Sequence, residues 1–451
     1  MNSNKSLYDS LAATEGVTST DDVLSWVQAV NENLHVDIRK TTLAGTKWLY
    51  DEQSGQIVNN SRTFFQISGL RYGQKEQPII IQDEIGHLGI LCKPIGGILH
   101  FLMQVKIEPG NVNKTQISPT VQATLSNFTQ VHGGAKPPYL DYLFNASRHH
   151  IIVDQIQSEQ SSRFLGKRNR NIVLRFDENE EIEELPTHKW LTLGQIKKLM
   201  QIDNLVNMDT RTVIGCLPYY RYNFGNPDTA FKRSIMTDTS PDTLNSIYNF
   251  INDVKMFDHV KPELIPLYNL KNWETAIQDG SEEFRCNDEY PFKIVFCDIS
   301  IEGREVRRWG QPLFEAQGMA TFGLFTRVND GVMEFLIHAK QEVGCLDKIE
   351  LGPTVQLEAT DRPENDIEKL FYERYSGKKG ILYDVIHSEE GGRFYCEQNR
   401  NIILEIEENL IASPPPGYWW CTYRTLSKLV QINNTLNIQL RNLLALLEIT
   451  T

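Results

Sequence analysis

The chain has 451 residues, 40% of them hydrophobic and 10% aromatic, with a formal charge of -13 and a pI near 5.4. That apolar content excludes a largely disordered chain, and the length predicts two or three domains rather than one core. The acidic balance disfavours nucleic acid and anionic membrane surfaces as partners.

The opening MNSNKSLYDSLAATEG lacks the basic-then-apolar order of a secretory signal. No later run reaches the roughly 20 apolar residues of a bilayer span, so a cytoplasmic location is expected. DDVLSWVQAV, from Asp21, predicts a helix opened by a capping aspartate. PIIIQDEIGHLGILCK and GGILHFLMQVKI are apolar, partly β-branched and broken by glycine, which predicts strands joined by a turn. HIIVDQIQS and RNIVLRF continue that pattern. In LTLGQIKKLMQIDNLVN, the residues Leu193, Ile196, Leu199, Met200 and Ile202 fall at helical spacing and predict a closing helix. PYYRYNFGNPDTAFKRS then reads as a linker, and DTLNSIYNFINDVKMF, from Asp242, opens a second helix of the first kind.

The tetrapeptide PTVQ occurs twice, at Pro119 and Pro353, and its flanks match at the same offset of 234 residues. Gln77-Pro78 aligns with Gln311-Pro312, Gly89 with Gly323, Lys106 with Lys340 and Glu108 with Glu342. Further on the offset becomes 230, aligning SSRFLGKRNRNIVL with GGRFYCEQNRNIIL and WLTLGQIKKLMQIDN with WCTYRTLSKLVQINN. Copies of this size are domains rather than solenoid repeats. The expected architecture is α+β with a mixed or antiparallel sheet, twice: residues 1–217, a linker at 218–241, and residues 242–451.

No GxGxxG, GxxxxGK[ST], HExxH or GxSxG pattern is present. The seven cysteines never fall in CxxC spacing and the ten histidines form no metal-ligand pattern. Strand alternation puts Gln104, Lys106 and Glu108 on one face, just before the turn-forming Pro109-Gly110. A second polar set, SEQSSRFLGKRNRN and SEEGGRFYCEQNRN, supplies Arg163, Arg168, Asn169 and Arg170 in one copy and Arg393, Asn399 and Arg400 in the other. Guanidinium groups suit a diphosphate because they give forked hydrogen bonds, while a solvated surface turn explains the same charges.

The strings DEIGHLG, HFLMQVKIEPGN, SPTVQATLSNFTQVHGG, SEQSSRFLGKRNRN and WLTLGQIKKLMQIDNLVNMDTRTVIGCL together resemble the NDP-hexose 2,3-dehydratases of deoxysugar biosynthesis. The resemblance implies two Nudix-like domains related by internal duplication, a homodimer, and a dehydration that needs neither metal nor nucleotide cofactor. It also implies a dTDP-4-keto-6-deoxyglucose substrate and functional coupling to an NADPH-dependent 3-ketoreductase. A Nudix metal-hydrolase box is missing, and the second copy reads LEATDRPENDIEKLFYE where the first keeps ATLSNFTQVHGG. The competing reading is a noncatalytic nucleotide-sugar binding protein.

For such a dehydration the acid–base candidates are Glu108, His132 and Tyr139, with Glu342 and His387 in the second copy, and Lys106 and Gln104 to polarise the ketone. Substrate-binding candidates are Gln122, Ser126, Asn127 and the Arg and Asn residues named above, with Lys340 and Gln356 as second-copy counterparts.

Overall fold

The structure is a computed structural model in which residues 3–62, 64–124, 136–146, 151–302 and 306–448 are described. It is a mixed α+β molecule with four sheets. In the first half, β1 (Val36–Thr41) is followed by β2 (Trp48–Asp51), β3 (Gln56–Asn59), β4 (Gln66–Tyr72) and β5 (Lys75–Ile81). A seven-stranded sheet follows from β6 (Gly86–Ile95), β7 (Ile98–Ile107), β8 (Thr115–Ser118), β9 (Val121–Ala123), β10 (Ile151–Ser158), β11 (Arg168–Arg175) and β12 (His188–Thr192).

The second half runs through β13 (Pro262–Ile265), β14 (Trp273–Gln278), β15 (Ser281–Cys286), β16 (Phe292–Ile301) and β17 (Arg308–Ala316). Its seven-stranded sheet contains β18 (Ala320–Asn329), β19 (Val332–Gln341), β20 (Ile349–Gly352), β21 (Val355–Leu357), β22 (Ile381–Ser388), β23 (Gln398–Glu405) and β24 (Tyr418–Thr422). The two large sheets share one strand order: β10-β11-β6-β7-β12 corresponds to β22-β23-β18-β19-β24, with two short strands added at matching places. Each is mixed, since β11 runs parallel to β6 and β23 parallel to β18 while the other pairs are antiparallel.

Local chemistry explains most of the elements. Gly96 and Gly97 take φ of 60° and 81° at the β6–β7 turn, a conformation that suits a two-residue hairpin and that side chains resist. The helices Thr20–Asn33 and Pro241–Phe257 are capped by Ser19 and Ser240, not by the aspartates that follow them. The helix expected to close the first half ends at Leu199, leaving Ile202 exposed, and a second buried helix, Met208–Gly215, begins behind the Asn207 cap.

The expected linker is more than a tether. Within 218–241, the helix Ala230–Met236 packs on β19 through buried Phe231 and Ile235. Ser3–Ala12 packs on β7 in the same manner through Leu7 and Leu11. An apolar helical face overrides the turn-rich composition around it.

The halves also exchange strands. β1 pairs with β16 of the second half, and β13 pairs with β4 of the first. The registers correspond: Thr41 faces Phe296, which faces Pro312, and Ile265 faces Gly69, which faces Pro78. Between them, the helices Met208–Gly215 and Ile438–Leu446 pack so closely that a Cβ on Gly215 would stand 2.6 Å from the Arg441 carbonyl oxygen.

Candidate active site

Strand β7 ends at Ile107, and the chain turns through Pro109-Gly110, leaving Glu108 buried at the strand end. The Lys106 ammonium, two residues earlier, reaches Glu108 Oε1 at 3.0 Å, and Gln122 Nε2 donates to the same oxygen at 3.0 Å. Asn207 Nδ2 in turn donates to Gln122 Oε1 at 3.3 Å while its own side-chain oxygen caps the Met208–Gly215 helix. A strand end, the PTVQ strand and a helix cap thus fix one carboxylate.

The loop that completes this cluster comes from the other half. Gly110 N donates to the Gly391 carbonyl at 2.7 Å, and Cys396 N donates back to the Gly110 carbonyl at 2.9 Å. A Cβ on Gly110 would lie 1.6 Å from the Phe394 carbonyl oxygen, so only glycine permits the approach. The contact carries Glu390, Gly391, Gly392 and Arg393 to Glu108. A Cβ placed on Gly392 would sit 2.8 Å from Glu390 Oε1 and 3.7 Å from Glu108 Oε1, so both carboxyl groups border one small space. Arg393 stacks over Phe65 at 4.3 Å and donates through Nε and Nη2 to Gln82 Oε1 at 3.3 and 3.1 Å. Among the described residues no carboxylate forms an ion pair with it.

Arg211, fully buried on the Met208–Gly215 helix, holds the start of that loop by donating Nη2 to the Ser388 carbonyl at 3.0 Å. Asp209, two residues earlier on the same helix, is 2% exposed. Burial, reinforced by Glu390, Glu159 and Glu108, holds its carboxyl well above the usual range, against the pull of Lys106. Burial also raises Glu390, opposed by Arg393, and pushes Glu159 up to about 7. Lys167 is lowered by its own burial and donates to the Glu84 carbonyl at 2.6 Å.

The mirror arrangement surrounds Glu342. Gln356 Nε2 donates to Glu342 Oε1 at 2.9 Å, Asn437 Nδ2 donates to Gln356 Oε1 at 2.8 Å, and Lys340 Nζ reaches the Gln356 carbonyl at 3.4 Å. The visiting loop is now Ser158–Gly166 of the first half, joined by Gly344 N to the Ser161 carbonyl at 2.9 Å and Gly166 N to the Gly344 carbonyl at 2.7 Å. Burial pushes Glu342 up to about 7 despite Lys340.

The chemistry of the two clusters differs. Gln439 stands where the first has Asp209, Gln160 replaces Glu390, and Ser161-Ser162 replaces Gly391-Gly392. Arg163, the counterpart of Arg393, is closed in a forked ion pair with Glu358 at 3.0 and 2.9 Å. Glu358 aligns with Thr124 of the first half.

The expected site residues therefore divide. Lys106, Glu108 and Gln122 meet in one cluster, with Gln104 two residues up the same strand; Lys340, Glu342 and Gln356 meet in the other. Arg163 and Arg393 are exchanged, each serving the half that does not encode it. Asn169 and Asn399 donate instead to buried Glu159 and Glu389. Arg170 and Arg400 lie in part-exposed ion pairs with Asp154 and Asp384, and Arg168 opens β11 half-buried, its Nε without a partner.

Two candidates have other employment. The Tyr139 hydroxyl donates to the Glu183 carbonyl at 2.7 Å and accepts from Leu185 N at 3.2 Å, while its ring edges His188. His387 is buried with Nε2 2.8 Å from the Met200 carbonyl, which spends the ring on the junction of the halves. Neither is drawn into a carboxylate cluster. His132, Ser126 and Asn127 lie outside the described residues. Sequence reading passed over Asp209, Glu390 and Gln82. The signal for the first two was present, since both positions carry an acid in one copy and glutamine in the other.

Among the described residues, no group of three or more His, Cys, Asp or Glu side chains is arranged to hold a metal ion, and no helix is long and apolar enough to cross a membrane. The family model for NDP-hexose 2,3-dehydratase matches residues 20–217 and again 244–447, and the chain belongs to that family of hydro-lyases. It is 36% identical over 473 residues to a dTDP-4-dehydro-6-deoxy-alpha-D-glucopyranose 2,3-dehydratase of Saccharopolyspora spinosa, covering 99% of this chain and 95% of that protein. A protein of the same description from Amycolatopsis orientalis is 35% identical, over 97% of this chain and 92% of its own length. A solved ADP compounds hydrolase aligns over 34% of this chain and 76% of its own, with 13% identity and a TM-score of 0.19, values that carry no argument about fold.

Proposed function

We propose that this enzyme removes water from dTDP-4-keto-6-deoxy-D-glucose, and that it does so at the cluster around Glu108. The observation that carries the reading is the meeting of a Lys106-paired carboxylate with a loop from the other half that brings an arginine free of carboxylate partners among the described residues. The 4-keto group acidifies the proton on carbon 3. Glu108 takes that proton, and the C–H electrons form an enolate that Lys106 stabilises. The enolate collapses to restore the ketone and form a double bond between carbons 2 and 3, expelling the carbon 2 hydroxyl. The enol left on carbon 3 tautomerises to a 3,4-diketo-2,6-dideoxy sugar. No step oxidises or reduces the sugar overall, and an NADPH-dependent 3-ketoreductase would intercept the reactive diketone.

Arg393 is the diphosphate anchor in this reading. Arg163 is not, because Glu358 already occupies it. With Gln439, Gln160 and two serines also replacing the first cluster's chemistry, turnover is assigned to the first cluster alone. We further propose that the halves arose by duplication of one Nudix-like unit, a reading supported by their common strand order. A homodimer is proposed as well, supported by the exposed apolar residues Tyr248, Met256 and Phe257 on one helix.

The test is to incubate the purified protein with dTDP-4-keto-6-deoxyglucose, chelator, a 3-ketoreductase and NADPH, and to follow products by mass spectrometry. Loss of one water, followed by gain of two hydrogens from the reductase and NADPH, supports the reading. Unchanged substrate would favour a nucleotide-sugar binding protein, and release of sugar phosphate would favour hydrolysis.

A further inference from the structure

Expelling hydroxide from carbon 2 requires a proton; of the groups expected to deliver it, His132 lies outside the described residues, the Tyr139 hydroxyl is held by two backbone groups, and His387 lies at the junction of the halves. Asp209 is placed differently. It lies on the first turn of the Met208–Gly215 helix, two residues from the Asn207 side chain that orients Gln122 and hence Glu108. The residue is only 2% exposed, yet among the described residues its carboxyl has no hydrogen-bond or ion-pair partner. Ordinarily a buried polar group is satisfied, and an unsatisfied one calls for a reason.

The surroundings supply one. Glu390, Glu159 and Glu108 act on Asp209 against the pull of Lys106, and the buried Arg211, two residues along the helix, feels the Asp209 charge as well. Like charges in a dry site cannot all ionise, so one carboxyl keeps its proton. A carboxylic acid held neutral is both a hydrogen-bond donor and a proton source. In the second cluster the same helical position carries Gln439, which can donate a hydrogen bond but cannot release a proton.

We propose that Asp209 is the catalytic acid that protonates the carbon 2 hydroxyl as it departs, an assignment that rests on the dehydratase reading above. The enolate electrons re-form the carbon 4 carbonyl, the carbon 2–oxygen bond breaks toward oxygen, and the Asp209 proton completes a neutral water molecule. Glu108 holds the proton from carbon 3, and Asp209 is left as a carboxylate. The cycle closes when Glu108 gives up its proton and Asp209 regains one from solvent. Lys106 is unsuited to the same task, because its ammonium already pairs with the base and matches the enolate charge.

Asp209→Asn separates the two halves of the reaction. Its water loss should be at least about a hundredfold slower than wild type, while solvent-deuterium exchange at carbon 3 continues within about threefold, because exchange needs only the base and the enolate. A substrate with fluorine at carbon 2 should restore elimination in the variant to within about tenfold of wild type, since fluoride departs without a proton. Wild-type water loss by Asp209→Asn would overturn the proposal. So would a folded variant that loses exchange and fluoride release along with water loss, which assigns Asp209 a structural role. Should Asp209→Asn fail to fold, Asp209→Gln copies a residue already accommodated in the matching helix and is read by the same three measurements. A wild-type protein that neither dehydrates nor exchanges would instead sink the underlying function.

Discussion

Arg163 of the first half and Glu358 of the second are locked in a two-pronged ion pair, with the Arg163 guanidinium also lying 4.1 Å from the centre of the Phe292 ring. The equivalent guanidinium, Arg393, lies over the Phe65 ring and donates to the Gln82 amide oxygen and a backbone carbonyl, with no carboxylate ion pair among the described residues. One arginine is neutralised by an ion pair from within the chain, and the other is the proposed anchor for an external anion.

Glu358→Thr, which restores the residue of the first half, should therefore expose a second anion site. Calorimetric titration with dTDP is expected to change from one site per chain to two. In the absence of nucleotide the variant should lose about 1–3 kcal/mol of stability, because a buried charge loses its partner. Saturating dTDP should recover part of that loss. A variant that still binds one nucleotide would refute the plugging role of Glu358.

Glu108→Gln keeps the shape of the side chain and can still contact Gln122, but it cannot accept a proton. Turnover should fall by roughly a hundred- to ten-thousandfold, and deuterium exchange at carbon 3 should fall with it. Retained exchange would show that the carboxylate merely positions Lys106.

Arg393→Met retains bulk over Phe65 and removes the charge. The expected result is weaker binding of the dTDP-sugar by about ten- to a hundredfold, in line with the loss of a charged hydrogen bond, with a smaller change in kcat. Arg163→Met should leave KM near wild type. A larger effect from Arg163 than from Arg393 would reverse the assignment of the two loops.

Lys197 gives a pH-dependent test of stability. Its ammonium is buried at the junction of the halves, with Nζ donating to the Ala445 carbonyl at 2.7 Å, and burial lowers it to about 7 against a small opposing pull from Glu448. From about pH 7 up to the unfolded value of 10.5, the unfolded chain holds a proton that the folded chain does not, so folding becomes more favourable as pH rises. Below that window the cost of burying the charge is fully present. Lys197→Met should accordingly be more stable than wild type near neutral pH, with the gap closing toward pH 10 by about 1.4 kcal/mol per pH unit. Denaturant unfolding at several pH values measures it, and a gap independent of pH would contradict the assignment.

How much of this was legible in the sequence depends on distance along the chain. Lys106 and Glu108 stand two apart on a strand, and Gln122 lies in the repeated PTVQ, so alternation and self-comparison found all three. Sequence order places Arg163 with the polar set of its own half, whereas its loop crosses to the Glu342 cluster, because the crossing is decided by Gly110 and Gly344 admitting a foreign backbone, which no local pattern records. Tyr139 looked like an available acid, yet its φ of 61° turns it so that the hydroxyl is taken up by backbone groups. Asp209 was hidden by its context, since an acid in the first turn of a helix ordinarily needs no explanation beyond the dipole.

The exchanged loops have a consequence for inheritance. A spare copy whose own pocket no longer reacts would ordinarily be free to erode or be deleted. Here its Ser388–Arg393 segment is a wall of the Glu108 cluster, the proposed reaction site, and β13 is an edge of the neighbour's sheet. If turnover belongs to the first cluster as proposed, mutations that silence the second pocket should be tolerated, while mutations that shift its backbone should not. On that reading the second half is held to its shape after being released from its chemistry, and separately expressed halves should regain activity only when mixed.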